Sequence, residues 1–213
     1  MPSNHDIISG FYDDYYEGRG LSRRMPFKNA GIEVDFADPP IDGQTVSYVK
    51  TDNNINTDAY DTQIGNYIKD ALNDIEKFCN RTIVQREVTA FWKRVNSSVN
   101  LPYPDVNSIT SVTAIDDDGN ESTLTTDDYT ILGNKQKWIH FNGDALGNQI
   151  KIVYNAGYGT DLSDIPQSLQ DAISAQTMVY YSKFAESVAE VEFDRETNLS
   201  VRALSLAKRY KVY

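Results

Sequence analysis

The stretch that most limits what this chain can fold into spans residues 137–184, where β grammar gives way to helical grammar. Ile150, Ile152 and Tyr154 alternate with Lys151 and Val153, the period of a strand with one apolar face. Asn155-Ala156-Gly157-Tyr158-Gly159 ends that strand, because glycine reaches positive φ without a Cβ clash and lets the chain change direction sharply. Pro166 suits a first helical turn, and Asp161 and Asp164 fall where the positive end of a helix dipole would lie. Leu169, Ala172, Ile173, Gln176 and Tyr180 then recur at helical spacing, with Val179 and Phe184 widening the stripe. Strand, turn and helix in that order predict an α+β fold.

A second helix is legible over residues 61–80. Ile64, Tyr67, Ile68, Ala71, Leu72, Ile75 and Phe78 repeat at three and four, while Asp70, Asp74, Glu76 and Lys77 occupy the other face. Between the two helices the sequence is β-like. Residues 82–95 read as one strand or two short ones, and Leu101-Pro102-Tyr103-Pro104 stops any ladder. Ile109, Val112 and Ile115 resume the pattern, Asp116 to Asn120 turns the chain, and Leu124, Tyr129, Ile131, Trp138, Ile139 and Phe141 supply further strands of one small antiparallel sheet. Residues 1–58 show no sustained periodicity and read as an extended N-terminal arm. Residues 59–187 read as the core of helix, inserted sheet and helix. Residues 188–213 read as a connector and a basic tail, with Val201, Leu204 and Leu206 facing a core on a short last helix. The predicted architecture is thus a small helical bundle of two long helices and a short C-terminal one, an inserted antiparallel sheet, and the arm.

At 213 residues the chain can bury a core without disulfides or a metal, and its one cysteine, Cys79, lies on a predicted apolar helix face. No run approaches the roughly 20 apolar residues of a membrane span, so no membrane partner is expected, and the N-terminus lacks signal-peptide features; a cytoplasmic site of assembly follows. A formal charge of −11 argues against a protein that grips DNA by its phosphates, although DNA passing an acidic surface is compatible with it.

Catalytic motifs are poor. Asp116-Asp117-Asp118-Gly119-Asn120-Glu121 has calcium-like oxygen donors, but its glycine is fourth and not sixth, and a hairpin turn demands the same residues. Gly157-Tyr158-Gly159 lacks the third glycine of a dinucleotide loop and the lysine of a P-loop. Two histidines, His5 and His140, with no hydrolase or zinc-protease motif, leave nothing from which to assemble a nucleophilic or zinc centre. No cofactor, metal or catalytic residue is predicted.

Interaction surfaces are better marked. Phe11, Tyr12, Tyr15 and Tyr16 pair at i, i+4 in the arm and suit either an anchor in a neighbouring subunit or a cover for this subunit's own core. Arg19, Arg23, Arg24 and Lys28 follow as a loose basic cluster. After Glu196 no acid remains, while Arg202, Lys208, Arg209 and Lys211 gather beside Tyr210 and Tyr213. The tail is therefore expected to dock on an acidic surface; cations complementing a helix C-terminus would explain the same residues. Met178 and Tyr181 lie off the main stripe of the second long helix and are candidate contacts to a neighbour.

The order of these features resembles the tailed-phage head-tail connector family, also called adaptor or head-completion proteins. Tyr67 to Ala71 and Ile75 to Arg81 look like the family's first long helix and its exit. Leu101 to Val112 looks like its Leu-Pro, Pro, Val-x-Ser-Val segment, and Asp116 to Asn120 with Asp128-Tyr129 resembles its hairpin and Asp-Tyr pair. Tyr154 to Gly159 followed by Ile165 to Ile173 is similar to its turn and second helix. The resemblance implies a structural protein of the virion neck: a homo-oligomeric ring, usually of twelve copies, that sits below the portal, binds the next tail or neck component, and passes DNA through its lumen as cargo. Two alternatives remain: a small metal-dependent hydrolase using Asp116 to Asp118, and a monomeric binding module.

Overall fold

A computed structural model describes residues 32–36, 43–95, 97–134, 136–142, 149–184, 194 and 197–212. In chain order these form β1 (Ile32–Phe36), α1 (Gly43–Asp52), α2 (Asp61–Cys79), β2 (Arg86–Trp92), β3 (Ser98–Asn100), β4 (Val106–Ile115), β5 (Glu121–Thr123), β6 (Tyr129–Leu132), β7 (Trp138–Phe141), β8 (Gln149–Ala156), a 3₁₀ turn (Leu162–Asp164), α3 (Gln167–Phe184), α4 (Val201–Ala207) and a last 3₁₀ turn (Lys208–Tyr210). The α+β class is as expected.

Among the described residues the predicted single sheet is in fact two. One has five strands in the order β1-β2-β8-β4-β5, the other three in the order β3-β7-β6, and every pairing is antiparallel. They share one apolar core. Val88, Ala90 and Trp92 of β2, Ile150, Ile152 and Tyr154 of β8, and Val112 and Ala114 of β4 meet Val99, Ile139 and Phe141 of the smaller sheet. Strict alternation along β8 puts every second residue inside, which is what packing on one face requires. Leu101 and Tyr103 lie in the proline-rich connection between the sheets, yet they are fully buried, because they belong to that core.

The helices have a core of their own. Ile64, Ile68, Leu72 and Ile75 of α2 pack with Leu169, Ala172 and Ile173 of α3, Val49 of α1, and Ala203 and Ala207 of α4. The stripe on α3 is wider than one partner needs because α1, α2 and α4 all pack on this helix. Ser174, Gln176 and Thr177 are buried with the apolar residues. Gln176 is satisfied by accepting from Ser200 N–H at 2.9 Å, while Ser174 Oγ donates to Asp52 at 2.6 Å and accepts from Asn53 at 2.9 Å. Val201, expected to face a core, is instead exposed on α4, and Leu204 and Leu206 are partly buried.

The extended arm expected up to residue 58 departs from the structure at two places. Ile32–Phe36 is the edge strand of the larger sheet, Val34 facing the core, and Gly43–Asp52 is a helix held on α3. The strand signal was present as Ile-Glu-Val-Asp-Phe but only five residues long. The helix is polar, with Val46, Tyr48 and Val49 as its packing residues. Residues 82–95 give one strand, Arg86–Trp92, preceded by an isolated bridge at Val84. Asp161 and Asp164 cap their own 3₁₀ turn and not the long helix.

Candidate functional site

Two chain segments cross from the helices to the sheets side by side, and a cluster of buried and part-buried polar contacts gathers at this joint. α2 ends on Asn80, whose left-handed φ of 53° reverses the chain. Glu76, in the last turn, is fully buried; its carboxylate pairs with the Arg86 guanidinium and accepts the Ile83 N–H at 2.6 Å. Burial pushes the Glu76 carboxyl up from its ordinary value, and Arg86 and the Ile83 amide pull the other way. Tyr158 N–H donates to Ile83 at 2.9 Å and Gln85 N–H to Gly159 at 2.8 Å, with Val84 bridged in parallel to Gly159. Arg81 hydrogen-bonds Tyr158 Oη, lies 5.5 Å from the centroid of that ring, and reaches Asp105 at 3.4 Å.

The turn that the sequence marked as geometric is built for close approach. Gly157 has φ of 128°, and a Cβ there would stand 2.7 Å from Gln85 N and Cα. A register shift at the start of β4 frees Asn107 to donate to Gly157 O at 2.9 Å and to Gln85 Oε1 at 3.0 Å.

The basic tail closes over the same joint. Cys79 donates its thiol to Ala207 O at 3.5 Å, Val212 N–H caps Cys79 O at 2.8 Å, and Lys211 stands 4.8 Å from the Phe78 ring centroid. Tyr210 meets Tyr158 edge-on at 6.5 Å, and Arg209 bonds Ser168 at the start of α3. The tail therefore lies against the C-terminal end of α2 in its own subunit, where Lys211 stands near the negative end of that helix. Arg202, Lys208, Arg209 and Lys211 keep exposed side chains there, and Tyr210 is half-buried. Met178 and Tyr181 are also half-buried on α3, and Tyr181 packs edge-on to Tyr60 at 6.3 Å. Phe11, Tyr12, Tyr15, Tyr16 and Tyr213, with the basic cluster Arg19, Arg23, Arg24 and Lys28, lie outside the described residues.

Asp116 to Asn120 forms the expected hairpin turn. Asp116 accepts from Asn120 N–H at 2.8 Å, Asn120 Nδ2 at 2.9 Å and Asp118 N–H at 3.0 Å. Those bonds, the Asn120 side chain first, hold its carboxyl below the ordinary value. Among the described residues no group of three or more His, Cys, Asp or Glu is placed to hold a metal ion. None of the described helices is long and apolar enough to cross a membrane.

Residues 43–212 match the family model for head completion protein. The chain belongs to the head completion protein family. That membership makes it a structural component of a phage-like virion, acting where head and tail are joined. Solved structures with the same fold come from gene transfer agent particles. A chain from the neck of an empty particle computed with C6 symmetry aligns at TM-score 0.66 and 17% identity, covering 84% of this chain and 95% of that one. A chain from a native gene transfer agent virion gives 0.64 and 18% over the same shares, and one from a native neck computed with C12 symmetry gives 0.60 and 17%. A search of curated proteins gave no match. The family match begins at α1, inside the stretch read from sequence as an arm, which agrees with the packing of that helix on α3.

What sequence reasoning missed is the joint itself. Glu76 looked like a solvent-facing acid among Asp70, Asp74 and Lys77, and only its position at the helix exit, ten residues before Arg86, carried any signal of burial.

Proposed function

We propose that this head completion protein forms a closed homo-oligomeric ring of about twelve copies below the portal and lets DNA pass through its lumen on the way to the tail. The observation that carries the reading is the family match over residues 43–212, supported by the likeness of fold to chains in particle necks computed with C6 and C12 symmetry. A ring requires heterologous contacts that close, and a subunit with separate helical and sheet cores offers different faces to its two neighbours. A net charge of −11 suits a channel that DNA slides through, because an acidic wall repels a polyanion. In this reading the aromatic residues Phe11, Tyr12, Tyr15 and Tyr16 and the half-buried Met178 and Tyr181 meet neighbouring subunits. The exposed cations Arg202, Lys208, Arg209 and Lys211, with Tyr210 and Tyr213, meet the portal or the next tail component. Assembly takes place in the host cytoplasm.

The test is to image purified particle necks carrying a labelled copy of the protein and to weigh the purified protein mixed with portal. A ring of label directly below the portal, and a portal complex heavier by a fixed number of copies, are expected. A protein that stays monomeric and never joins the portal complex sinks the reading.

A further inference from the structure

The three-stranded sheet turns one face to the core and the other outward. On its middle strand, β7, Trp138 stands between Asn100 and Leu132, and His140 between Ser98 and Thr130, each directly opposed across the ladder. All six side chains are exposed, whereas Val99, Ile139 and Phe141, which alternate with them, are buried. None of the six is Asp, Glu, Lys or Arg, in a chain where those types make up 24% of residues. Trp138 is 51% exposed and its cross-strand partner Leu132 is 49% exposed. These two side chains present on the order of 200 Å² of apolar surface. Charge depletion around an exposed aromatic is the composition of an interface centre, with small polar residues as its rim.

The occupant follows from ring geometry, so this inference rests on the ring reading above. A cyclic ring repeats one heterologous contact, in which each copy contributes two different patches; the platform cannot meet itself between neighbours. The second aromatic opening among the described residues is in the helical half. Tyr60 is 42% exposed and lies edge-on to Tyr181. Its flanking carboxylates, Asp58 and Asp61, are both bound by Lys50, at 2.5 and 2.6 Å, so an uncharged surface laid over Tyr60 need not bury an unpaired acid. Val201, also exposed, stands beside the charged Arg202 and brings no ring. We propose that the Trp138–Leu132 platform of one subunit docks on the Tyr60–Tyr181 pair of the adjacent copy. A patch on the order of 200 Å² is well below the roughly 800 Å² per partner of a stable free complex, so this contact forms when copies are already gathered in the neck and does not dimerise the free protein.

Two measurements on assembled necks test it. Trp92 is buried and Trp138 is exposed, so a Trp92→Phe protein reports on Trp138 alone. Its fluorescence is expected to be that of a solvent-exposed indole in the free subunit and to move to the blue on assembly. A chain carrying both Trp138→Cys and Tyr60→Cys is expected to give a disulfide ladder of multiples in oxidised necks, and neither single variant gives one. Trp138→Ser, at an exposed position, is expected to leave the melting temperature in place and cut incorporation into necks about tenfold or more. Dimers from Trp138→Cys alone would overturn the pairing, as would rings that take up Trp138→Ser like the wild type, with unshifted Trp138 emission and no ladder. Those outcomes leave the ring standing; necks without any ring of this protein remove the reading beneath it.

Discussion

At the residue scale, burial dominates the behaviour of the two groups that the joint encloses. The Cys79 thiol is pushed up to about 11 by burial, with Arg81 pulling in the other direction. In the folded protein it is therefore expected to resist a thiol reagent at pH 8 and to react in full once urea unfolds the chain. A thiol held above its ordinary 9.0 binds its proton more tightly folded than unfolded. Its contribution to stability is present below about 9 and lost as pH rises towards 11. Cys79→Ala should thus flatten part of the alkaline loss of stability, measured as the urea midpoint against pH. Glu76 is the other case. Glu76→Ala leaves the Arg86 guanidinium buried without its carboxylate and removes the acceptor of Ile83 N–H, which should cost about 3–5 kcal/mol in urea denaturation. Replacing both partners by apolar residues, Glu76→Leu with Arg86→Met, should cost less than Glu76→Ala alone, because no orphaned charge remains. Equal losses in the single and the double variant would mean that the pair is not what holds the site.

At the element scale, what could be seen in the sequence was whatever a single element's own period reveals. α2 was legible because seven apolar residues repeat at three and four over its length, and β8 because alternation on one buried face leaves a period of two. The fold of the Asp116 to Asn120 turn was legible because Asp, Gly and Asn supply its hydrogen bonds and its positive φ at Gly119 locally. α1 was not, since Val49 is its one residue in the buried core and its other holds are polar: Tyr48 donates to Asp171 at 2.7 Å, and Asn53, just past its end, bonds Ser174. Nothing in a one-dimensional pattern says that Asp171 lies opposite Tyr48. Division of the strands between two sheets was hidden for the same reason, because Val88 and Val99 are buried alike although different ladders hold them. Gly157 shows the limit from the other side: the sequence marked a turn, but its need for glycine comes from Gln85, 72 positions earlier in the chain. Gly157→Ala combines a disfavoured φ with a 2.7 Å approach to backbone, and is expected to destabilise by about 1–3 kcal/mol, whereas Gly119→Ala, with open space around the Cβ, suffers only the φ penalty and less loss. Thermal melts of the two variants side by side check the ranking.

At the scale of the whole molecule, separate cores joined, among the described residues, by a polar seam make an unusual demand on cooperativity. The sheets close on Ile139, Ile150 and Ile152, the helices on Ile68, Leu72 and Leu169. Between them run the Glu76–Arg86 pair, the Val84 and Gly159 bridge and the Arg81, Asp105, Tyr158 and Tyr210 cluster. Burying the charges of that seam in mutual contact makes partial separation costly, since opening it exposes half-satisfied groups to apolar walls. Both tryptophans lie in the sheet half, while the described helices lie in the other, so fluorescence and helical circular dichroism report on different cores. In the wild-type protein the two signals should fall together with urea, as one transition. Arg81→Ala removes the hydrogen bond to Tyr158, the stacking on its ring and the contact with Asp105 in one step, while touching neither core. It should therefore separate the two curves and lower the apparent slope of each, because each core then unfolds as a smaller cooperative unit. If the curves of Arg81→Ala still coincide with an unchanged slope, the seam is not what couples the halves, and their cooperativity resides in the covalent crossings, among them residues 80–86 and 156–166.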